Sequence, residues 1–185
     1  MPSQYNILNL PSHISFADGS RIEYEYAADS RKVRTTHTIN NNVTSTVYCG
    51  NAIYENGSLT MLLNEAGYYS FQDNKFHFYI KDHQGNIRVV ADEAGKVEEV
   101  NDYYPFGGLM SNACNNVQPY KYNGKESDRK GGLDWYDCGT RHYDAILGRW
   151  YMMDPIVEKY YGLTPYNYCI NNPVLLIDPN GMWPT

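Results

Sequence analysis

At 185 residues the chain is long enough to bury a core of its own, and its length suits a single domain. Its formal net charge of −6 comes without a clustered basic patch, which argues against nucleic acid as a partner. No apolar run approaches the length that crosses a bilayer, and the first residues lack the basic and apolar regions of a signal peptide. The sequence by itself therefore assigns no localisation.

The first hairpin signal is the turn Asp18-Gly19, after which Ile22, Tyr24 and Tyr26 alternate with charged residues. This period of two is typical of a strand with one packed face and one exposed face. The same pattern returns around Asn56-Gly57. The 19 tyrosines against 5 phenylalanines suit such strands, because a tyrosine ring is apolar and its tip is polar.

The clearest hairpin begins at Lys75, where Phe76, Phe78 and Ile80 alternate with polar residues before a turn at residues 82–86. Strand, glycine turn and strand then recur at intervals of about ten residues, which indicates repeats of one hairpin each. No segment has a long apolar stripe with the helical period. We expect very little helix, at most a turn near Val157 to Tyr161.

The chain changes character after a polar, asparagine-rich stretch from Asn112 to Gln118, which is either a linker or a surface loop within one domain. Beyond it, short aromatic runs are separated by glycine and proline, and two Asp-Pro dipeptides begin at Asp154 and Asp178. We expect this region to be a capping segment of short strands and tight turns.

The four cysteines are far apart and form no Cys-x-x-Cys pair, and the five histidines lack metal-ligand spacing. We therefore expect no metal and no cofactor. An even number of cysteines leaves disulfides open, but we favour free thiols. The cysteines are Cys49, Cys114, Cys138 and Cys169.

From residue 82 onward a series of short motifs resembles, in order and spacing, the rearrangement-hotspot (Rhs) or YD-repeat family. The resemblance covers about residues 76–182, and this segment is similar to the family's repeat-associated core domain. Residues 1–75 resemble degenerate YD repeats, and residues 183–185 would be a remnant beyond a cleavage point. The motifs are Asp82-His-Gln-Gly-Asn-Ile-Arg88, Asp102-Tyr-Tyr-Pro-Phe-Gly107, Tyr120-Lys-Tyr-Asn-Gly-Lys-Glu126, Gly132-Leu-Asp-Trp-Tyr136, Arg141-His-Tyr-Asp144, Leu147-Gly-Arg-Trp150, Asp154-Pro155, Pro165-Tyr-Asn-Tyr168, Asn171-Asn-Pro173 and Asp178-Pro-Asn-Gly-Met182.

The resemblance implies an all-β fold, in which successive antiparallel β-hairpins form a curved or spiralling sheet capped by a loop- and turn-rich core with little helix. In the family this sheet becomes a hollow cocoon, and the core plugs one end. In polymorphic toxins and the C subunits of insecticidal toxin complexes, a toxic domain follows the core and is sealed inside. The implied role of this chain is a structural end plug. Family members are usually secreted or associated with the cell surface.

The resemblance also implies a single self-cleavage, which in this chain would fall at Met182–Trp183. Asp154 and Asp178 would form an aspartic-protease-like pair, with Arg141 as the supporting cation. The residue types suit that chemistry, because two neighbouring carboxyl groups share a proton and an adjacent arginine holds one of them ionised. Cys138, four residues before a histidine, is a weaker nucleophile candidate.

Other interpretations of these residues remain open. Asp-Pro-x-Gly is also an ordinary turn, so each aspartate can be purely structural and self-cleavage can stay latent. A surface-exposed β module without catalysis, which binds protein or weakly binds carbohydrate, is the alternative function. A cocoon needs many repeats, and only three or four hairpins are present, so we expect open edges to pair with the rest of a larger shell or a second copy.

Overall fold

The computed structural model describes residues 3–110, 117–159 and 161–185. Most of the predicted linker, residues 112–116, therefore lies outside the described residues. Eleven strands form one antiparallel sheet in which each strand neighbours the next along the chain. The bounds are β1 Ser3–Tyr5, β2 Pro11–Ser15, β3 Arg21–Tyr26, β4 Lys32–Ile39, β5 Asn42–Cys49, β6 Ala52–Glu55, β7 Ser58–Asn64, β8 Gly67–Ser70, β9 Lys75–Lys81, β10 Ile87–Asp92 and β11 Val97–Val100.

A second sheet of four short strands comes next, in the order in which they occur in the chain. The only helix in the described part of the chain consists of 3₁₀ turns of three residues, one of which is the expected turn at Val157–Lys159. The all-β prediction is confirmed. The strands are β12 Glu126–Asp128, β13 Trp135–Asp137, β14 His142–Asp144 and β15 Arg149–Trp150, and the other 3₁₀ turns are Tyr122–Gly124, Lys130–Gly132 and Cys169–Asn171.

The backbone contacts divide the chain into two compact units. The first unit comprises Met1–Phe78 with Asp92–Gly95, and the second comprises Tyr79–Ala91 with Lys96–Thr185. The first unit contains β1 to β8 and the beginning of β9, and the second contains the end of β9, nearly all of β10, β11 and the four-stranded sheet.

The first unit shows the predicted alternation in β3, where Ile22 and Tyr24 are buried between exposed neighbours. Strand β9 also alternates, but Phe76 and Phe78 are exposed whereas His77 is buried. The His77 ring stacks on Tyr68 with 4.6 Å between ring centroids, and its Nε2 lies 3.1 Å from a carboxylate oxygen of Asp73. These two contacts explain why the imidazole, rather than the phenylalanines, occupies the packed face.

The second unit has an aromatic core in which the tyrosines contribute both an apolar ring and a polar hydroxyl group. Their rings pack together, and Tyr143 stacks on Tyr168 with 4.0 Å between centroids. Their hydroxyl groups donate to backbone carbonyls, as from Tyr143 to Phe106 at 2.8 Å and from Tyr136 to Gly107 at 3.1 Å. Burying a tyrosine therefore costs little, because the polar tip keeps a partner. The buried core residues are Tyr103, Tyr122, Tyr136, Cys138, Tyr143, Ala145, Trp150, Tyr168 and Cys169.

Among the described residues, Cys49, Cys138 and Cys169 are free thiols, as expected, and Cys114 lies outside that set. The described residues include no cluster of three potential metal ligands. They also include no helix that is long and apolar enough to cross a membrane.

Candidate functional site

The second unit brings the three predicted site residues together around one guanidinium group. Arg141 lies between β13 and β14, and its Nη2 is 2.9 Å from Asp154 Oδ2 and 3.5 Å from Asp178 Oδ2. The exposed fractions of these residues are 1%, 8% and 3% respectively. A single buried cation therefore bridges two buried carboxylates that are 24 residues apart in the sequence.

The guanidinium group is fixed from several directions. Its Nε donates to the Gly181 carbonyl at 2.5 Å, and its Nη1 donates to the Pro165 carbonyl at 3.4 Å. Its central carbon lies 4.3 Å from the centroid of the Trp150 ring. Planar hydrogen bonding combined with stacking is a role that arginine fills and lysine does not. The arginine is thus a rigid part of the site.

Each aspartate divides its two oxygens between its own turn and the arginine. Asp178 Oδ1 accepts hydrogen bonds from the Gly181 and Met182 N–H groups at 2.9 and 3.0 Å. Asp154 Oδ1 accepts one from the Ile156 N–H at 2.9 Å. In both residues the other oxygen, Oδ2, contacts Arg141. The turn role and the paired-carboxylate arrangement are therefore compatible within the same two side chains.

Gly181 has to be a residue without a side chain. Its φ is +76°, and an added Cβ would lie 3.1 Å from the Arg141 backbone nitrogen. The left-handed backbone and the close approach both favour glycine. This conformation turns the chain so that the Gly181 carbonyl reaches Arg141 Nε.

The C-terminal segment returns on itself and is tied to the hairpin between β13 and β14. The backbones of Ile177 and Thr185 exchange two hydrogen bonds, at 3.0 and 2.8 Å. The Thr140 N–H and hydroxyl both donate to the Asn180 carbonyl. The segment carries the Met182–Trp183 bond, whose first residue already contacts Asp178 through its N–H. Trp183 itself is exposed.

A small cavity of about 20 Å³ adjoins the three charged side chains. This is close to the space that one water molecule needs. The cavity combines charged groups with apolar walls, and its lining includes Arg141, Asp154, Asp178, Pro165, Cys169 and Pro184. The arrangement could hold one water beside two carboxylates.

Burial sets the protonation behaviour of the site. Desolvation raises the pKa of Asp178, against the opposing effects of Arg141 and of the two N–H groups at residues 181 and 182, and the charge of Asp154 adds to the rise. Desolvation likewise lowers the pKa of Arg141, although both aspartates oppose that change. Asp178 is thereby easier to protonate than an ordinary aspartate, as an acid catalyst requires.

The alternative cysteine nucleophile has the wrong environment. Cys138 is buried, and burial raises the pKa of its thiol above the ordinary value. The thiolate is the reactive form, so this environment disfavours nucleophilic chemistry.

Sequence reasoning misses several groups that build the site. Pro165 and Gly181 contribute backbone carbonyls, and every residue type has a backbone carbonyl, so the sequence does not reveal this role. Trp150 is a core residue whose ring also faces the arginine. Its position four residues before an Asp-Pro turn is the signal in the sequence that could have indicated this second role.

The chain is similar to short parts of much longer known proteins. No family model matches the chain. It is 38% identical over 114 residues to salivary gland surface protein 1 of Aedes aegypti, covering 60% of this chain and 3% of that protein. It is 27% identical over 193 residues to toxin subunit YenC1 of Yersinia entomophaga, covering 87% of this chain and 19% of that protein. It therefore spans less than a fifth of either relative.

A solved structure has the same fold. The crystal structure of TcdB2-TccC3-TEV matches with a TM-score of 0.81 and 24% identity, over 97% of this chain and 10% of that chain. At this level of identity the match establishes the fold alone.

Proposed function

Because the chain belongs to the Rhs/YD-repeat family and carries its repeat-associated core, we propose that it is the structural end plug of an Rhs β-shell that encloses a C-terminal toxin or effector. In this proposal residues 1–75 are degenerate repeat hairpins, residues 76–182 are the core, and residues 183–185 lie beyond the cleavage point. The partner is the rest of a larger shell or a second copy of the chain.

The observation that carries the proposal is the anchoring of the C-terminal segment on a buried arginine. Arg141 holds Asp178 and the Gly181 carbonyl at once, so the end of the core is fixed inside the second unit. An end plug needs a C-terminal segment that is held in place, because a domain attached to the core has to start from a defined position. Exposed apolar side chains on β9, including Phe76 and Phe78, add a surface suited to contact with neighbouring shell strands.

The same geometry supports a latent self-cleavage at Met182–Trp183. Asp154, held by the arginine, takes a proton from a water in the adjoining cavity, and the water oxygen attacks the Met182 carbonyl carbon. Asp178, which protonates readily, donates a proton to the leaving nitrogen of Trp183 as the carbon–nitrogen bond breaks. The reaction consumes one water and proceeds once per chain.

Intact-mass measurement tests the cleavage. We expect a product that lacks Trp183-Pro-Thr185, and we expect Asp154→Asn or Asp178→Asn to abolish it. The exposed Asp29, changed to asparagine, is the matched control and should leave the product unchanged. Cleavage after residue 154 or 178 would instead report ordinary acid lability of Asp-Pro bonds. A chain that keeps its full mass over days at mildly acidic pH would refute the cleavage but not the plug.

Light scattering over a range of protein concentrations tests the plug. Association that grows with concentration, and that is weakened by charged substitutions at Phe76 and Phe78, supports a shell-contacting surface. A monodisperse monomer at high concentration counts against it. Binding on a glycan array would favour the alternative of a carbohydrate-binding module.

A further inference from the structure

The second unit buries a separate group of polar side chains that the proposed cleavage does not use. Glu99, Asn101 and Lys121 have exposed fractions of 1%, 0% and 0%. A buried amine and a buried carboxylate are costly unless they are closely paired. Their presence together with a buried carboxamide therefore needs a specific explanation.

One carboxylate oxygen contacts both of the other groups. Glu99 Oε1 lies 2.6 Å from Lys121 Nζ and 2.6 Å from Asn101 Nδ2. The Lys121 amine also donates to the Gln118 carbonyl at 2.5 Å, which restricts its position. The amine and the carboxamide are thus neighbours on a single oxygen.

The carboxamide is only half satisfied. Asn101 Nδ2 donates to Glu99 and to the Ile87 carbonyl, at 2.6 and 3.1 Å. Its Oδ1 is buried and accepts no hydrogen bond from any residue that the structure describes. A buried carbonyl without a donor is destabilised, and it gains a partner if a proton arrives on the adjacent carboxyl group.

We propose that Lys121 and Asn101 become joined by an intramolecular isopeptide bond, with Glu99 as the acid–base group. A proton passes from Lys121 Nζ to Glu99, which leaves a neutral amine. The amine nitrogen attacks the Asn101 side-chain carbonyl carbon, and a new carbon–nitrogen bond forms. Glu99 transfers its proton to the departing amide nitrogen, which leaves as ammonia, and then accepts the remaining excess proton from the attacking nitrogen, so that a neutral amide is formed. Atoms balance without any oxidant or cofactor.

The surroundings favour this chemistry over a permanent ion pair. Water is excluded, so neutralising both charges by one proton transfer removes a large desolvation cost. Both reacting groups are held 2.6 Å from the same Glu99 oxygen, and such positioning replaces the entropy that a bimolecular reaction would lose. The product closes a covalent loop between the end of β11 and residue 121, independently of the proposed cleavage.

Mass spectrometry of the denatured full chain tests the proposal. We expect the intact mass to fall by the mass of one ammonia, and tandem spectra to identify a peptide that links residues 101 and 121. Glu99→Gln and Lys121→Arg should restore the full mass. Glu98→Gln, which changes the adjacent residue, is the matched control and should keep the loss.

Two further measurements distinguish the isopeptide bond from other losses of mass. Formation of a succinimide at an Asn-Gly sequence also releases ammonia. Hydroxylamine opens the succinimide ring, however, and leaves an isopeptide bond intact. Asn101→Asp should lose one water instead of one ammonia, which identifies the bond even if the Glu99 variant does not fold. A wild-type chain with its full mass and no linked peptide after prolonged incubation at neutral pH would overturn the proposal.

Discussion

Replacing Arg141 by leucine removes the cation between two buried carboxylates while keeping an apolar side chain beside Trp150. The lost interactions are the contacts with Asp154 and Asp178 at 2.9 and 3.5 Å and the hydrogen bonds to two backbone carbonyls. Breaking a buried pair in this way costs about 3–5 kcal/mol, because the remaining charges are uncompensated. For a chain of this size the melting temperature should fall by about 10 °C.

Urea unfolding, followed by tryptophan fluorescence, measures this cost. Arg149→Leu is the matched control, because Arg149 is exposed on β15 and should change the free energy of unfolding by less than about 0.5 kcal/mol. The deficit of the Arg141 variant should shrink between about pH 7 and pH 5, because the uncompensated carboxyl groups bind protons more tightly in the folded state. Equal effects of the two arginine substitutions, or a deficit that grows on acidification, would refute the reasoning.

Three further outcomes are expected. Gly107→Ala should destabilise the protein by about 1–3 kcal/mol more than Gly85→Ala, because both glycines have positive φ but only the first would place a Cβ against a tyrosine ring; thermal unfolding compares them. Thiol alkylation at pH 8 should modify Cys49 well before Cys169, since burial raises the pKa of Cys169 to about 12, and equal labelling rates would contradict this. The cleavage rate, measured by mass, should fall as pH rises through the raised pKa of Asp178, because the donor loses its proton; a rate that rises with pH would exclude that role.

The sequence predicts much of the first unit because local rules decide it. Asp18 accepts from the Ser20 N–H at 2.9 Å, and Gly19 supplies the positive φ that the predicted turn requires. The alternation around Ile22 then sets which face is buried. Strand β9 shows the limit of this reasoning, since periodicity identifies two faces but does not say which one is packed. There a long-range stack on Tyr68 decides the outcome.

The site depends on contacts that composition and spacing do not encode. The three site residues Arg141, Asp154 and Asp178 were identified from the family resemblance, and the structure brings them together. Hydrophobic periodicity and secondary-structure propensity would not have identified these three residues, because they lie in loops and turns with no regular pattern. The buried Glu99–Lys121 pair was missed for the same reason, since its members are separated by a stretch without periodicity.

The divided use of the two oxygens of Asp178 also shows how a catalytic role can be separated from a structural one. Asparagine at this position keeps an oxygen for the Gly181 and Met182 N–H groups but loses the charge that faces Arg141. Alanine loses both. We therefore expect both variants to prevent cleavage, and Asp178→Ala to be less stable than Asp178→Asn by about 1–3 kcal/mol, the cost of unpaired buried donors. Urea unfolding compares the two variants, and intact mass reports cleavage in each. Equal stabilities would mean that the oxygen facing the turn contributes nothing to it, and a cleaving Asn variant would mean that the carboxyl proton is not required.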